Sequence, residues 1–177
     1  MSLRLPIKRQ LIVVRHAKSS WDYPGLADHD RPLGERGLRD APKMAAHLKV
    51  EVERPQVLIS STALRAKQTA EYFIQSLKIL REDSRETRDL FHANYAAIRS
   101  VLASIDAEVQ RVIIFGHNPG LTDFVNRITD EDIFNIPTCG VAVIDLELSD
   151  WTDIDRGTGT LRQYFYPKGI DNSRFKI

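Results

Sequence analysis

Short apolar runs along the chain alternate with segments in which apolar positions recur every three or four residues. The first run, "LIVV" at 11–14, is rich in β-branched side chains, which predicts a strand that is covered on both faces. "QVLIS" at 56–60 and "RVIIF" at 111–115 predict two further buried strands. A weaker strand is predicted at "RETRDLF", and two more at "VAVIDLEL" and "TLRQYFYP".

The segments between these strands have helical periodicity. A first helix is predicted over about 34–50, and Pro42 is expected to distort its first turns or to delay its start. Strands and helices that alternate in this way predict a three-layer α/β sandwich with a mainly parallel sheet. The predicted apolar faces of the four helices are Leu38, Ala41, Ala45 and Leu48; Ala63, Ala66, Ala70, Phe73, Ile74 and Leu77; Ile98, Val101, Leu102 and Ile105; and Leu121, Phe124, Val125 and Ile128.

Composition narrows the class of protein. The chain has 177 residues, a size typical of one domain, and we expect residues 1–9 to form a flexible tail ahead of it. The formal net charge of +1, with both signs interleaved, argues against a nucleic-acid or membrane partner. The apolar run after the basic start is too short for a secretory signal, so we expect a cytoplasmic protein. Cys139 is the single cysteine and is expected to pack as a small apolar residue.

Polar groups follow three of the predicted buried strands. In a parallel sheet the carboxyl ends of the strands form one edge, where ligands bind. The groups at that edge are Arg15 and His16 after the first strand, Ser60, Ser61 and Thr62 with Arg65 after the second, and His117 after the fourth.

This pocket is cationic and lacks carboxylates, which favours a dianionic phosphate over a metal ion. No cluster of Cys, His, Asp or Glu has the close spacing of a zinc site. A helix that starts near Thr62 also offers free backbone N–H groups to an anion. For single residues a structural interpretation stays open: Arg15 and Arg65 could form surface ion pairs, and His117 could be a buried hydrogen-bonded residue.

Five segments resemble one known family. They are "VVRHAKSSW", "DRPLGERG", "SSTALRAKQTA", "FGHNPGL" and the closing "YFYPKG". Together they are similar to the histidine phosphatase superfamily, in the branch of the SixA-like phosphohistidine phosphatases. The similarity runs from Leu11 to about Gly140, and the closing segment also resembles the ends of that branch. The resemblance implies a phosphoglycerate-mutase-like fold and an enzyme without a metal or other cofactor.

The resemblance also implies roles for the residues at the strand ends. His16 is the expected nucleophile, which attacks phosphorus and becomes phosphohistidine before water hydrolyses it. A hydrogen bond from its other ring nitrogen to a backbone carbonyl would fix the tautomer. Arg15, Arg65 and His117 are expected to hold the phosphoryl oxygens.

Residues near the nucleophile are secondary candidates. The segment "SSWDYPGLADHDRPLGERG", which follows the nucleophile, is too long for a simple connection. It contains Ser19 and Trp21, and Lys18 directly precedes it. They are expected to contact phosphate or to form the wall of the substrate site. Arg31 is expected to support this loop through the carboxylate of Asp28 or Asp30. We expect no role for His29 and His47.

The leaving-group acid of many superfamily members has no clear match here. Asp89 and His92 lie in the expected region, "RDLFHANY", but neither fits the pattern. A weak or missing acid suits a phosphoramidate, whose imidazole departs more readily than an alkoxide.

Three functional hypotheses remain. The first is a metal-independent phosphatase that acts on a phosphohistidine-containing protein or on a small phosphoramidate. The second keeps the His16 chemistry but assigns a small phosphate ester, and the third is a non-catalytic phosphate-binding module. The sequence does not determine the oligomeric state.

Overall fold

The computed structural model describes residues 5–172, and its centre is a six-stranded sheet. Each apolar run that predicts a strand forms one. The strands are β1 (Ile7–Arg15), β2 (Val57–Ser61), β3 (Ser84–Thr87), β4 (Arg111–Gly116), β5 (Val141–Leu148) and β6 (Gly159–Phe165).

The strand order is β3-β2-β4-β1-β5-β6. The first four strands in this order pair in parallel, and β5 runs antiparallel to both β1 and β6. The prediction of a mainly parallel sheet is therefore confirmed. β1 lies between β4 and β5, so its carboxyl end meets the ends of β4 and β2 in the middle of the sheet edge.

Helices cover both faces of the sheet, which gives the three predicted layers. One face packs against the apolar sides of α1 and α2, and the other against α3 and α4. Predicted core residues such as Phe73 and Phe124 are fully buried. The helices are α1 (Glu35–Glu51), α2 (Leu64–Leu77), α3 (Tyr95–Ala103), α4 (Gly120–Thr129) and α5 (Pro167–Asn172).

The predicted tail over residues 1–9 is wrong for its last three positions, and residues 1–4 lie outside the described residues. β1 begins at Ile7, and residues 7–9 pair with residues 146–148 of β5. Arg9 is buried, and its guanidinium is satisfied there by hydrogen bonds that it donates to backbone carbonyls, including those of Leu148 and Val109. Because Arg9 is charged, the apolar pattern of the sequence does not reveal that the strand already includes this position.

α1 is continuous through Pro42, so the predicted distortion or late start does not occur. Pro42 lies on the solvent side of the helix, where the loss of one backbone hydrogen bond is least costly. Leu38, which was assigned to the apolar face, is 47% exposed. The buried face instead contains Ala41, Met44, Ala45 and Leu48.

Two strand boundaries and one helix differ from the pattern. β3 ends at Thr87, and residues 88–90 form a 3-10 turn instead of continuing the predicted strand. β6 ends at Phe165, and α5 follows with Pro167 in its first turn, a position that suits proline. In residues 5–172 we find no helix that is both long enough and apolar enough to cross a bilayer.

Candidate active site

The ends of β1 and β4 and the first turn of α2 bring three predicted site residues into contact. The ring centroids of His16 and His117 are 5.0 Å apart. Between them lies the guanidinium of Arg65, whose Nε is 3.3 Å from His16 Nε2 and whose Nη2 is 3.4 Å from His117 Nδ1. All three side chains are buried. The predicted convergence of the strand ends is therefore present in the fold.

His16 is held in one tautomer. Its Nδ1 lies 2.7 Å from the backbone oxygen of Ala17, and a carbonyl can only accept, so Nδ1 carries the proton and donates it. Nε2 therefore keeps its lone pair and faces Arg65. The Ala17 N–H donates to Thr69 Oγ1, which donates in turn to the Arg65 carbonyl oxygen. These two bonds fix the nucleophile loop against α2.

Burial and charge keep His16 neutral. Desolvation is the largest effect and lowers the pKa of His16 to about 3. The hydrogen bond to the Ala17 carbonyl opposes it, and the charges of Arg65 and Arg15 add to the lowering of this pKa. The side chain is therefore neutral at physiological pH. A neutral imidazole with an unprotonated Nε2 is the form that can attack an electrophile, once Nε2 no longer accepts the hydrogen bond from Arg65.

His117 is held from the other side by β2. A guanidinium can only donate, so His117 Nδ1 accepts from Arg65 and Nε2 carries the proton, which it donates to Ser61 Oγ at 2.8 Å. Burial first, and then the neighbouring His16 and Arg65, lower the pKa of His117 to about 2. Nδ1 can donate to an anion only after it takes up a proton, which a bound dianion favours.

We expect neither His16 nor His117 of the free protein to titrate between pH 8 and pH 5, because both pKa values lie well below that range. An unfolded chain binds protons at these positions below about pH 6.5, whereas the folded chain does not. The free energy of unfolding should therefore decrease as the pH falls from 7 to 5. NMR titration of the assigned imidazole signals checks the first expectation, and urea unfolding at each pH checks the second. A midpoint near 6.5 for either ring would contradict both.

Arg15 ends β1 beside the nucleophile. Its Nη1 donates to the Ile136 carbonyl oxygen at 2.7 Å. Burial, followed by repulsion from Arg65, lowers the pKa of Arg15. Within residues 5–172 its buried Nε–H has no hydrogen-bond partner, so the guanidinium has hydrogen-bonding capacity to spare.

A carboxylate missed by the sequence argument joins the site. Asp28 binds Arg65 through its Oδ2, 2.9 Å from Nη2, and through its backbone carbonyl, which accepts from Nη1. Partial burial raises the pKa of Asp28, but hydrogen bonds and charge from Arg65, helped by His92 and Arg31, outweigh it and lower the pKa to about 2. The pocket is therefore not free of carboxylates: Asp28 occupies donors of Arg65 that would serve a phosphoryl group.

Arg31 supports the loop that carries Asp28, as predicted, and Asp28 is its partner at 3.0 Å. Arg31 Nη2 also donates to Ser19 Oγ at 2.5 Å, so both side chains are buried inside the loop. Its guanidinium lies 3.4 Å from the ring centre of Trp21, which is 72% exposed. Ser19 and Arg31 thus position the loop, and Trp21 lies on its outer surface.

The nucleophile loop is also fastened to α1. The Lys18 carbonyl oxygen accepts from the Gly34 N–H at 2.9 Å. A Cβ at Gly37 would lie 2.3 Å from the same oxygen, so only glycine permits this approach of α1 to the loop. The Lys18 side chain is half-buried.

The candidate acids differ in position. Asp89 is exposed, and its carboxylate accepts from Thr87 Oγ1 at 3.2 Å. His92 lies at the site: its Nε2 is 3.0 Å from Asp28 Oδ2, and its ring centre is 5.5 Å from that of His117. Its φ of 50° is in the left-handed region.

Three further residues, two histidines and the cysteine, have defined contacts or burial in the fold. His29, for which we expected no role, lies at the rim of the site with Nε2 2.9 Å from Thr62 Oγ1 and its ring against Phe91. His47 packs on Phe165 away from these residues. Cys139 is fully buried, which confirms its packing role, and burial raises the pKa of its thiol. Within the described part of the chain, no three His, Cys, Asp or Glu side chains group closely enough to hold a metal ion.

Comparison with known proteins gives consistent matches. The family model described as "Histidine phosphatase superfamily (branch 1)" matches residues 11–98. An uncharacterized chloroplastic protein of Arabidopsis thaliana is 29% identical over 159 residues, which cover 83% of this chain and 71% of that protein. An uncharacterized protein of Mycobacterium tuberculosis is 28% identical over 88% of this chain and 100% of its own length.

A crystal structure from Agrobacterium tumefaciens, of a protein assigned as phosphohistidine phosphatase SixA, superposes with a TM-score of 0.76 at 28% identity, covering 90% of this chain and 98% of that one. The fold is that of the phosphoglycerate-mutase-like proteins. Fold, site and matches together define a class of enzyme, the phosphatases. The chain belongs to the histidine phosphatase superfamily.

Proposed function

We propose that this protein is a metal-independent phosphatase that hydrolyses phosphohistidine, in a protein or in a small phosphoramidate, through a covalent intermediate on His16. The observation that carries the proposal is the neutral His16 with its Nε2 lone pair directed at Arg65, 3.3 Å away. The likeness to the Agrobacterium protein assigned as a phosphohistidine phosphatase supports the choice of substrate.

In the first step His16 Nε2 attacks phosphorus, and the bond from phosphorus to the substrate nitrogen breaks. The departing imidazole keeps the electron pair of that bond and takes a proton from solvent. Arg65 and Arg15 bind the equatorial oxygens, where negative charge is concentrated in the transition state. Asp28 must leave Arg65 for this to happen, because its carboxylate and the phosphoryl group require the same donors.

In the second step water attacks the phosphorus of phosphorylated His16, and the new P–N bond breaks. One proton of the water stays on the phosphate and the other is released to solvent, so that neutral His16 is restored. His117 contributes once the bound dianion has raised its proton affinity, because its Nδ1 can then donate to an oxygen. Ser61 keeps the other nitrogen of His117 in place throughout.

Turnover of imidazole phosphate in the presence of EDTA tests the proposal. We expect full activity with the chelator, because Arg15 and Arg65 supply positive charge at the site and His117 adds to it once the bound dianion has favoured its protonation. Vanadate should inhibit, since it adopts the five-coordinate geometry of the transition state. Loss of activity in EDTA that magnesium restores would refute metal independence. Stoichiometric phosphate binding without any turnover would favour the non-catalytic alternative.

We expect a preference for P–N over P–O substrates. A positioned acid contributes about a hundred- to ten-thousand-fold to the departure of an alkoxide, and a phosphoramidate needs no such acid. The Asp89 carboxylate is bonded to Thr87, and His92 to Asp28. Asp89→Asn and His92→Asn should therefore leave phosphohistidine hydrolysis within about twofold of wild type, whereas alkyl phosphates should be slow in all three proteins.

Asparagine is the replacement of choice at position 92 because it tolerates the left-handed backbone there. Initial rates on imidazole phosphate and on an alkyl phosphate, measured side by side, give the comparison. If an alkyl phosphate turns over as fast as imidazole phosphate and Asp89→Asn or His92→Asn disables that reaction, the enzyme is a small-ester phosphatase.

A further inference from the structure

A cavity of about 530 Å³ lies next to the candidate active site. Its walls are the first half of α1, residues 135–138 and the start of α5. Arg15, the neighbour of the nucleophile, lines it as well, so this residue belongs to both places. The charged residues that line the cavity are Arg15, Arg36, Arg39, Asp40, Lys43 and Lys168. We call this cavity the basic groove.

The basic groove has an excess of positive charge, in a protein whose positive and negative charges are otherwise nearly balanced. Five of its charged residues are cations and one is an anion, whereas the whole chain has a formal net charge of +1. The carboxylate, Asp40, is buried and already bound by Arg39 at 3.3 Å, with Arg36 3.9 Å away. The excess cations therefore create a local field that attracts anions.

The cations of α1 are arranged in a row. Arg36, Arg39 and Lys43 are three and four residues apart, so they share one face of the helix. At about 1.5 Å per residue the row is about 10 Å long. The side chains of Arg36 and Arg39 are 50% and 70% exposed, so their charged ends are accessible to a partner.

A row of this length fits a polypeptide better than a single small anion. Side chains on one face of an extended chain repeat about every 6.6–7 Å, so two acidic residues of a strand-like segment span most of the row. A lone phosphate would use only one end of it.

The groove and the nucleophile are fixed relative to each other. Arg36 Nη2 binds Thr138 Oγ1 at 3.2 Å, which joins α1 to the segment after Ile136. The next residue, Cys139, donates its N–H to the carbonyl oxygens of both Arg15 and His16. A segment that lies in the groove is therefore held beside the site where phosphorus is attacked.

We propose that the basic groove binds acidic residues of the polypeptide that carries the phosphoryl group, and so selects acidic phosphoproteins as substrates. This inference rests on the proposed phosphohistidine phosphatase function. Small phosphoramidates contact Arg15 but do not reach the row of cations on α1, so that row does not select them.

The test uses two phosphohistidine peptides of the same length, one with aspartate and glutamate flanking the phosphohistidine and one with asparagine and glutamine instead. For the wild type we expect kcat/KM to be about tenfold higher for the acidic peptide at low salt, from two or three partly exposed charge pairs. Salt at 0.5 M should remove most of this preference. Equal values for the two peptides at low salt would overturn the inference.

The variant Arg39→Gln/Lys43→Gln removes two cations of the row and keeps Arg36 beside Asp40. It should bring the ratio of kcat/KM between the two peptides close to one. The control, Lys49→Gln/Arg85→Gln, removes the same charge outside the groove and should preserve the ratio. A groove variant that keeps the wild-type ratio would show that the preference arises elsewhere. Circular dichroism melting verifies that both variants fold, and if the groove variant does not, Lys43→Gln alone should halve the ratio or reduce it further.

Binding of the unphosphorylated acidic peptide separates this inference from the proposed function. Fluorescence anisotropy should detect weak binding to wild type that the groove variant loses. If the peptide binds but imidazole phosphate is not hydrolysed, the proposed phosphatase function is wrong, whereas the inference that the groove binds acidic residues is supported. If imidazole phosphate is hydrolysed but the acidic peptide neither binds nor is preferred, the inference about the groove is wrong and the proposed function is kept. Stronger binding of inorganic pyrophosphate than of the peptide would show that the groove binds small polyanions, and would overturn the inference that it binds a polypeptide.

Discussion

His16→Ala should lower kcat on imidazole phosphate by about five orders of magnitude or more, the scale on which removal of a nucleophile acts. The effect is this large because one nitrogen, His16 Nε2, forms the covalent bond. We do not expect His117 to replace it, since its Nε2 is hydrogen-bonded to Ser61 and the proposed mechanism uses its Nδ1 to donate to a phosphoryl oxygen.

Rapid-quench labelling gives a second measurement for this variant. Wild type should form a phosphoenzyme that is labile in acid and stable in base, as expected for phosphohistidine, and His16→Ala should form none. His47→Gln is the matched control, because His47 packs on Phe165 away from the site, and it should retain both turnover and labelling. Turnover of the His16→Ala protein at the wild-type rate would disprove the covalent mechanism.

Arg65→Ala should reduce kcat/KM by about two to three orders of magnitude, the loss seen when one preorganised donor to the transition state is removed. Arg65 is 3% exposed and its guanidinium contacts both histidines, so water can replace it only poorly. Arg65→Lys should recover only part of the loss, since a single ammonium cannot reproduce the planar fork. Arg15→Ala and His117→Ala should each cost about two orders of magnitude for the same reason.

Arg85→Ala serves as the control for the arginine variants, because Arg85 is exposed on β3 and binds Ser104. Steady-state kinetics at several phosphate concentrations distinguishes lost transition-state binding from lost product binding. If Arg65→Ala keeps kcat/KM within a fewfold of wild type, Arg65 is not a phosphoryl ligand.

The main site could be predicted because of a general property of buried parallel strands. Such strands are apolar along their length, so Arg15 and His16 or His117 stand out at the points where the strands end. Arg65 could be found from its position one turn into the helix after β2. The same apolar contrast identified the strands other than β3, whose four residues are all polar. It also missed the first part of β1, where Arg9 donates hydrogen bonds to backbone carbonyls.

Asp28 could not be placed in the same way. It lies in a loop without periodicity, and its position depends on Arg31, which reaches back to Ser19, and on the return of the chain to α1. The basic groove could not be predicted from the sequence either, for a related reason. Arg36, Arg39 and Lys43 look like the solvated face of an amphipathic helix, and α5, which brings Lys168 opposite them, has too few residues to show a period.

The close contact between Gly37 and the Lys18 carbonyl oxygen fixes the distance between the basic groove on α1 and the nucleophile. It sets α1 at one separation from the loop that begins at His16, and neither side can shift without breaking the contact. The number of residues between a phosphohistidine and the acidic side chains of its protein then matters as much as their charge. Two partners of equal charge would be told apart by the spacing of that charge along their chains.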